Sequence, residues 1–254
     1  MAFNKGDWAA SYGKEPARER RATQEESRLP WGDVGNVSYE PIRDEASLKS
    51  FIASTYQYFA ASLLAGAAGA YAGMQAVATI QSFYWGLVIL ELGLIFGLSF
   101  ARHKSYAAPM LFAFTFVTGL TLTPLLAGIL KMPGGAGIVT NAFLMTSVAF
   151  GGLSLFAMST NRDFSSMGKM LLIALIVLIV GGIVNIFMQS PLLQVAIAAV
   201  GAILFSMFIL YDTQNIVRGM YDSPISAAVA LYLDFFNLFV SLLQLLGIFG
   251  SSDE

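Results

Sequence analysis

Two aspartates, Asp212 and Asp234, lie inside the last two apolar stretches of a 254-residue chain that keeps charge out of its hydrophobic segments almost everywhere else. A carboxylate moved from water toward hydrocarbon needs a partner, a proton, a bound cation or access to water, because the bare charge is costly there. At membrane depth such a residue marks a functional site. Two carboxylates held close cannot both ionise cheaply, so a pair that shares one proton acts as a pH sensor. Deprotonated, Asp212 and Asp234 would offer hard oxygen ligands suited to a metal such as Ca²⁺; protonated, they would release it.

A second pattern surrounds Asp234. Asn237, Ser241 and Gln244 follow it at helical spacing and project with it into an arc of roughly 80° on an otherwise apolar helix. Lipid cannot satisfy these groups, so the stripe should face the bundle interior or a wet cavity. It reads either as part of an ion or proton pathway or as an interhelical hydrogen-bond seam.

The elements that must position these residues follow from composition. With 56% hydrophobic and 12% charged residues and a mean hydropathy of +0.67, a soluble domain of this size would be covered in apolar surface. The chain is expected to be an integral membrane protein with the lipid bilayer as its solvent. Apolar runs of roughly 20 residues recur seven times, the length that crosses about 30 Å of hydrocarbon. They cover approximately residues 50–73, 83–101, 107–130, 138–158, 167–188, 192–214 and 227–249. Continuous runs such as Leu171 to Val184 show no alternation, which excludes barrel strands and predicts an all-α bundle. Small residues at Ala61, Ala65, Gly69 and Gly73 would let a neighbouring helix approach the first span closely.

Residues 1–49 form a contrasting segment, rich in charge and broken by Pro16, Pro30 and Pro41, and are expected to be a disordered cytoplasmic tail ahead of a membrane domain at 50–254. The tail has no apolar stretch before a cleavage site, so the first span is expected to serve as the insertion signal. Its nine acidic and eight basic residues make a poor anionic-lipid anchor. Thirteen of the fourteen Lys and Arg fall on the side of the N-terminus and only Lys131 on the other, which predicts a cytoplasmic N-terminus. Asp212 and Asp234 then both lie toward the cytoplasmic side. Arg102, at the inner end of the second span, would reach the same level and could cap the pair, while Glu91 lies about 16 Å nearer the outer face as a next acidic station.

Several chemistries drop out. The chain has no cysteine, which removes disulfides and thiolate sites, and its one histidine, His103, sits among charged residues at a span end. No nucleotide-binding loop, dinucleotide fingerprint, metal-protease helix or nucleic-acid patch is present, so neither enzymatic turnover nor a cofactor is expected.

The string Tyr232-Leu233-Asp234-Phe235-Phe236-Asn237-Leu238-Phe239, followed by Leu242-Leu243, resembles the seventh-helix signature of the Bax inhibitor-1 family, also called the transmembrane Bax inhibitor motif family. Three further stretches agree in order: Phe114 to Thr121 with its third helix, Thr160 to Ser165 with the polar turn before its fifth, and Leu210 to Gln214 with its sixth. The resemblance covers about residues 45–250. It implies a seven-helix bundle with the last helix central and, for bacterial members in the inner membrane, a pH-sensitive calcium leak. By resemblance, Asp212 and Asp234 are the sensor pair, Arg102 the arginine that latches the sixth-helix aspartate in the closed state, and Glu91 the acidic residue further along. Gln244 departs from the family pattern, standing where relatives commonly carry arginine.

The resemblance also implies a second role: bacterial relatives are implicated in modulating a membrane-bound ATP-dependent protease through their N-terminal region. A non-conducting regulator therefore stands beside the leak. An intramembrane aspartyl protease would share the Tyr211-Asp212 pair but needs Gly-x-Gly-Asp at its partner, where this chain reads Leu231-Tyr232-Leu233-Asp234.

Overall fold

A computed structural model describes residues 45–250. Eight α-helices account for nearly all of them, with no strand among the described residues: α1 Glu45–Met74, α2 Val77–Ser82, α3 Tyr84–Ala101, α4 Ala107–Leu130, α5 Gly135–Ser159, α6 Gly168–Met188, α7 Pro191–Val217 and α8 Pro224–Gly250. A single 3-10 turn, Ser165–Met167, leads into α6. The all-α bundle expected from the apolar runs is what forms. The expected tail falls almost wholly outside the described residues, although helix already begins at Glu45 rather than Ser50.

Local sequence sets the boundaries. Ser190 caps α7 by accepting a hydrogen bond from the Leu193 amide at 3.3 Å, with Pro191 supplying the first helical residue. Ser223 does the same for α8, accepting from the Ser226 amide at 3.0 Å ahead of Pro224. This cap starts the last helix three residues before the apolar run does, so Asp234 sits about ten residues, or ~15 Å, into the helix rather than seven. Gly134, at φ +67°, makes the tight turn from α4 into α5 that a side chain would oppose.

Among the described residues six helices, α3 to α8, are long and apolar enough to cross a membrane, and α1 falls short of being the seventh. Its 30 residues are long enough, but Ala, Gly, Ser, Thr and Tyr dilute its hydropathy. Those small residues have a packing use. The buried stripe of α1 runs through Ser62, Gly66, Gly69 and Gly73, so Ala61 and Ala65 are only half-buried and the seam follows a four-three-four spacing instead of a uniform four. Opposite lies α4. A side chain at Gly69 would strike the Phe116 carbonyl, and one at Gly119 would strike that of Gly66, so the two backbones are in contact.

The interior is built by α8 and α4. α8 packs against α7, α5, α1 and α4, and α4 against α1, α3, α5 and α8. Phe59 of α1 stacks on Phe150 of α5 at 4.9 Å between ring centroids, and Phe235 of α8 meets Phe150 edge-on at 5.6 Å. By contrast α3 leans chiefly on α4, and α6 on α7. Most side chains of both face outward, leaving only Leu98 and Ala101 of α3 and Leu171 and Asn185 of α6 buried. The bundle therefore has a tightly packed α1–α4 seam on one side and two peripheral helices on the other.

Candidate functional site

Asp212 of α7 and Asp234 of α8 come together inside the bundle, 6% and 4% exposed respectively. Their carboxyl groups interact directly. The antiparallel α7–α8 hairpin explains the meeting: both aspartates lie on the faces along which the two helices pack. The Tyr221 hydroxyl donates to Asp212 Oδ1 at 2.8 Å, whereas no donor reaches Asp234 Oδ2. Two carboxylates offer only acceptors, so the pair lacks a positive charge that a shared proton or a cation would supply.

Both aspartates line a cavity of about 590 Å³ that also takes in Glu91 of α3 and Asn237, Ser241 and Gln244 of α8. The polar stripe expected from helical spacing thus faces a cavity, but it is not uniformly free. Asn237 is turned back onto its own helix, its side-chain amide donating to the Leu233 carbonyl at 2.8 Å. Ser241 sits against Gly201 of α7, where an added Cβ would approach Ser241 Oγ to 2.7 Å. Glu91 accepts from Thr121 Oγ1 of α4 at 2.9 Å. Deeper in the bundle, Tyr232 and Thr118 share a hydrogen bond that ties α8 to α4.

Arg102 is placed differently from the cap expected of it. Its Nε lies 3.0 Å from Asp222 Oδ2, in the loop after α7, and His103 Nε2 lies 3.5 Å from the same oxygen. The physical reason is position: Arg102 follows the last residue of α3 and reaches the half-exposed α7–α8 loop, where its charge keeps contact with water. The group touching Asp212 is instead Tyr221, the neighbour of Asp222. Arg102 thus connects to the aspartate pair through that loop. Burial, and then the adjacent Asp212 carboxylate, push the Tyr221 hydroxyl above its ordinary value, so it remains a proton donor through the neutral range.

Tyr221 and Asp222 are functional-site residues that the sequence does not single out. Their signal is weak, a Tyr-Asp dipeptide in a short polar loop, and only folding brings it under Asp212. Gln214 likewise stands in the sequence only as part of the Leu210 to Gln214 motif. Its side chain accepts from the Phe164 amide and donates to the Arg162 carbonyl, both at 2.7 Å, locking the α5–α6 turn onto the end of α7. Arg218 adds an ion pair to Asp163 at 2.5 Å. The Ser165 backbone amide, and then Arg218, hold the Asp163 carboxyl down at about 2.

Among the described residues no group of three or more His, Cys, Asp or Glu could hold a metal ion. The two aspartates alone supply far fewer oxygens than the six to eight that Ca²⁺ takes, so water would complete any coordination there.

Comparison with known proteins places this geometry in a family. The family model described as "Inhibitor of apoptosis-promoting Bax1" matches residues 48–251. An uncharacterized protein of Campylobacter jejuni is 53% identical over 211 residues, covering 81% of this chain and 91% of its own length. A protein of Escherichia coli K12 named "Modulator of FtsH protease YccA" is 37% identical over 172 residues, covering 66% of this chain and 77% of its own length. Its counterpart in a second E. coli strain, with the same identity and coverage, is named "Inner membrane protein YccA". With the apolar helices that house the aspartate pair, these matches make the chain a multi-pass membrane protein that belongs to the Bax inhibitor-1 family.

Proposed function

We propose that the protein is a proton-gated cation leak of a bacterial inner membrane, with Ca²⁺ as its cargo, its N-terminus in the cytoplasm and no enzymatic activity. The observation that carries this reading is the Asp212–Asp234 pair, buried, mutually interacting, open to a cavity, and with one oxygen that no protein donor reaches. A shared proton halves the negative charge of the pair; its removal leaves a doubly anionic oxygen set that favours a cation. Glu91 is the next acidic station in the same cavity, and Asn237, Ser241 and Gln244 provide polar edges between apolar walls. Tyr221 holds Asp212 from the cytoplasmic side, and Arg102 and His103 hold the Tyr221 loop through Asp222. Arg102 then acts as a latch at one remove.

The test is calcium flux from loaded vesicles containing the purified protein. Flux is expected to change with pH around neutrality, and Asp212→Asn or Asp234→Asn should abolish that dependence while leaving the helical fold intact. Absence of flux at every pH would discard the leak.

The name of the E. coli relative favours a second reading, a non-conducting modulator of a membrane-bound ATP-dependent protease. Removing residues 1–44 separates the two. A leak should persist in vesicles, whereas a tail-mediated regulator should lose its effect on proteolysis in cells.

A further inference from the structure

The cavity has a chemical character that an inorganic-ion path does not require. No Lys, Arg or His is among the described residues that line it, while Glu91, Asp212 and Asp234 all do. Most of the remaining wall is apolar and includes the rings of Phe114, Phe205 and Phe208. Asp234 is almost wholly buried, lines this space, and keeps an oxygen without a hydrogen-bond partner. Such a lining of hydrocarbon, aromatic faces and a few placed charges is that of a small-molecule pocket, and about 590 Å³ lies within the range such pockets occupy.

The way in is lateral. Its flanks are α3 and α6, whose main packing is against α4 and α7 and not against each other. Leu92 of α3 and Ile179 of α6 line the cavity and are each 53% exposed, so hydrocarbon side chains at the opening face the lipid. A hydrated metal ion gains nothing from that opening. A molecule that partitions into the bilayer and carries a positive charge would gain twice, leaving lipid for an apolar wall and setting its charge beside carboxylates and phenyl rings.

We infer that the cavity between α3 and α6 is a binding site for lipophilic organic cations drawn from the membrane, with the apolar body against Phe205, Phe208 and Leu178 and the charge at Asp234. The inference rests on the same cavity as the proposed leak and deepens it by naming a ligand class that would compete with the inorganic cargo. Charge complementarity selects the occupant: a neutral lipid chain would leave the carboxylates unpaired, and an anionic amphiphile would be repelled by them.

The test is equilibrium binding of tetraphenylphosphonium to the full-length protein in phosphatidylcholine nanodiscs, compared with tetraphenylborate, which has the same shape and the opposite charge, and with tetramethylammonium, which has the charge without the apolar surface. The expected result is saturable binding of tetraphenylphosphonium at one per chain, no saturable binding of tetraphenylborate, and tetramethylammonium at least ~10-fold weaker. Asp234→Asn should weaken tetraphenylphosphonium at least ~10-fold, and Ile179→Trp at the mouth should slow its uptake. Equal binding of the two tetraphenyl ions, or binding indifferent to Asp234→Asn in folded protein, would overturn the site. Should that variant fail to fold, the charge-reversal comparison on the unaltered protein decides alone. The leak stands or falls separately: calcium flux without tetraphenylphosphonium binding refutes only this inference, and binding without flux refutes only the leak.

Discussion

The two sides of the bundle use similar residues for opposite ends. Along the α1–α4 seam, Gly66, Gly69 and Gly119 bring two backbones into contact, and any added side chain meets a carbonyl or a ring hydroxyl. Along α3 and α6, a Cβ built on Gly86, Gly93 or Gly182 meets nothing within 4 Å, and the neighbouring Leu92 and Ile179 look outward. The first side is a scaffold of touching backbones; the second frames the cavity that holds the acidic residues. A small residue in a membrane helix therefore marks close packing only where a partner helix arrives, and the buried acids line the cavity that α3 and α6 leave between them.

The contrast is broken most severely at Gly119. Gly119→Ala drives a methyl into the Gly66 carbonyl and should cost ~1–3 kcal/mol or more, seen as a lower melting temperature in detergent. Gly93→Ala, in open space on the other side, should be neutral or stabilising by up to ~1 kcal/mol. Equal losses at the two positions would mean the cleft closes in the membrane.

Next in size is the hold on the pair. Tyr221→Phe removes a hydrogen bond to a carboxyl group, worth ~1–3 kcal/mol, and should raise calcium leak at neutral pH by up to ~10–100-fold. If the leak stays at its original rate in folded protein, Tyr221 is packing and no gate. Arg102→Ala acts at one remove and through a half-exposed ion pair worth ~0–1 kcal/mol, so resting leak should rise less than ~5-fold. A larger effect than that of Tyr221→Phe would return the latch to a direct Arg102–Asp212 contact in some other state.

The smallest effect is expected at Asp163, whose carboxyl is depressed to about 2. A depressed carboxyl contributes its stabilisation above the unfolded value near ~4 and loses it as pH falls through about 2, so the clamp to Arg218 is constant around neutrality. Asp163→Asn should leave the pH profile of flux unmoved. A shifted profile would enlist the α5–α6 turn in gating.

Much of this architecture was legible beforehand. Apolar runs report the bilayer solvent directly, so six spans and the helix class follow from hydropathy alone, and the rarity of acid at membrane depth pointed to Asp212, Asp234 and Glu91. The remaining expected span, residues 50–73, forms as α1 but is less apolar than the other six, because its stripe of small residues gives close contact with α4 and lowers its hydropathy. Tyr221, Asp222 and Gln214 were obscure because polar residues in short loops look alike until their partners are in place.

The order of the chain thus determined which segments enter lipid and which charges go with them, since transfer free energy depends on residue type and run length. It did not determine that Arg102 would pair with Asp222, that Tyr221 would be the donor on Asp212, or that α3 and α6 would stand apart. Those outcomes depend on directional contacts between residues far apart in sequence, and only the packed helices bring such residues within bonding distance.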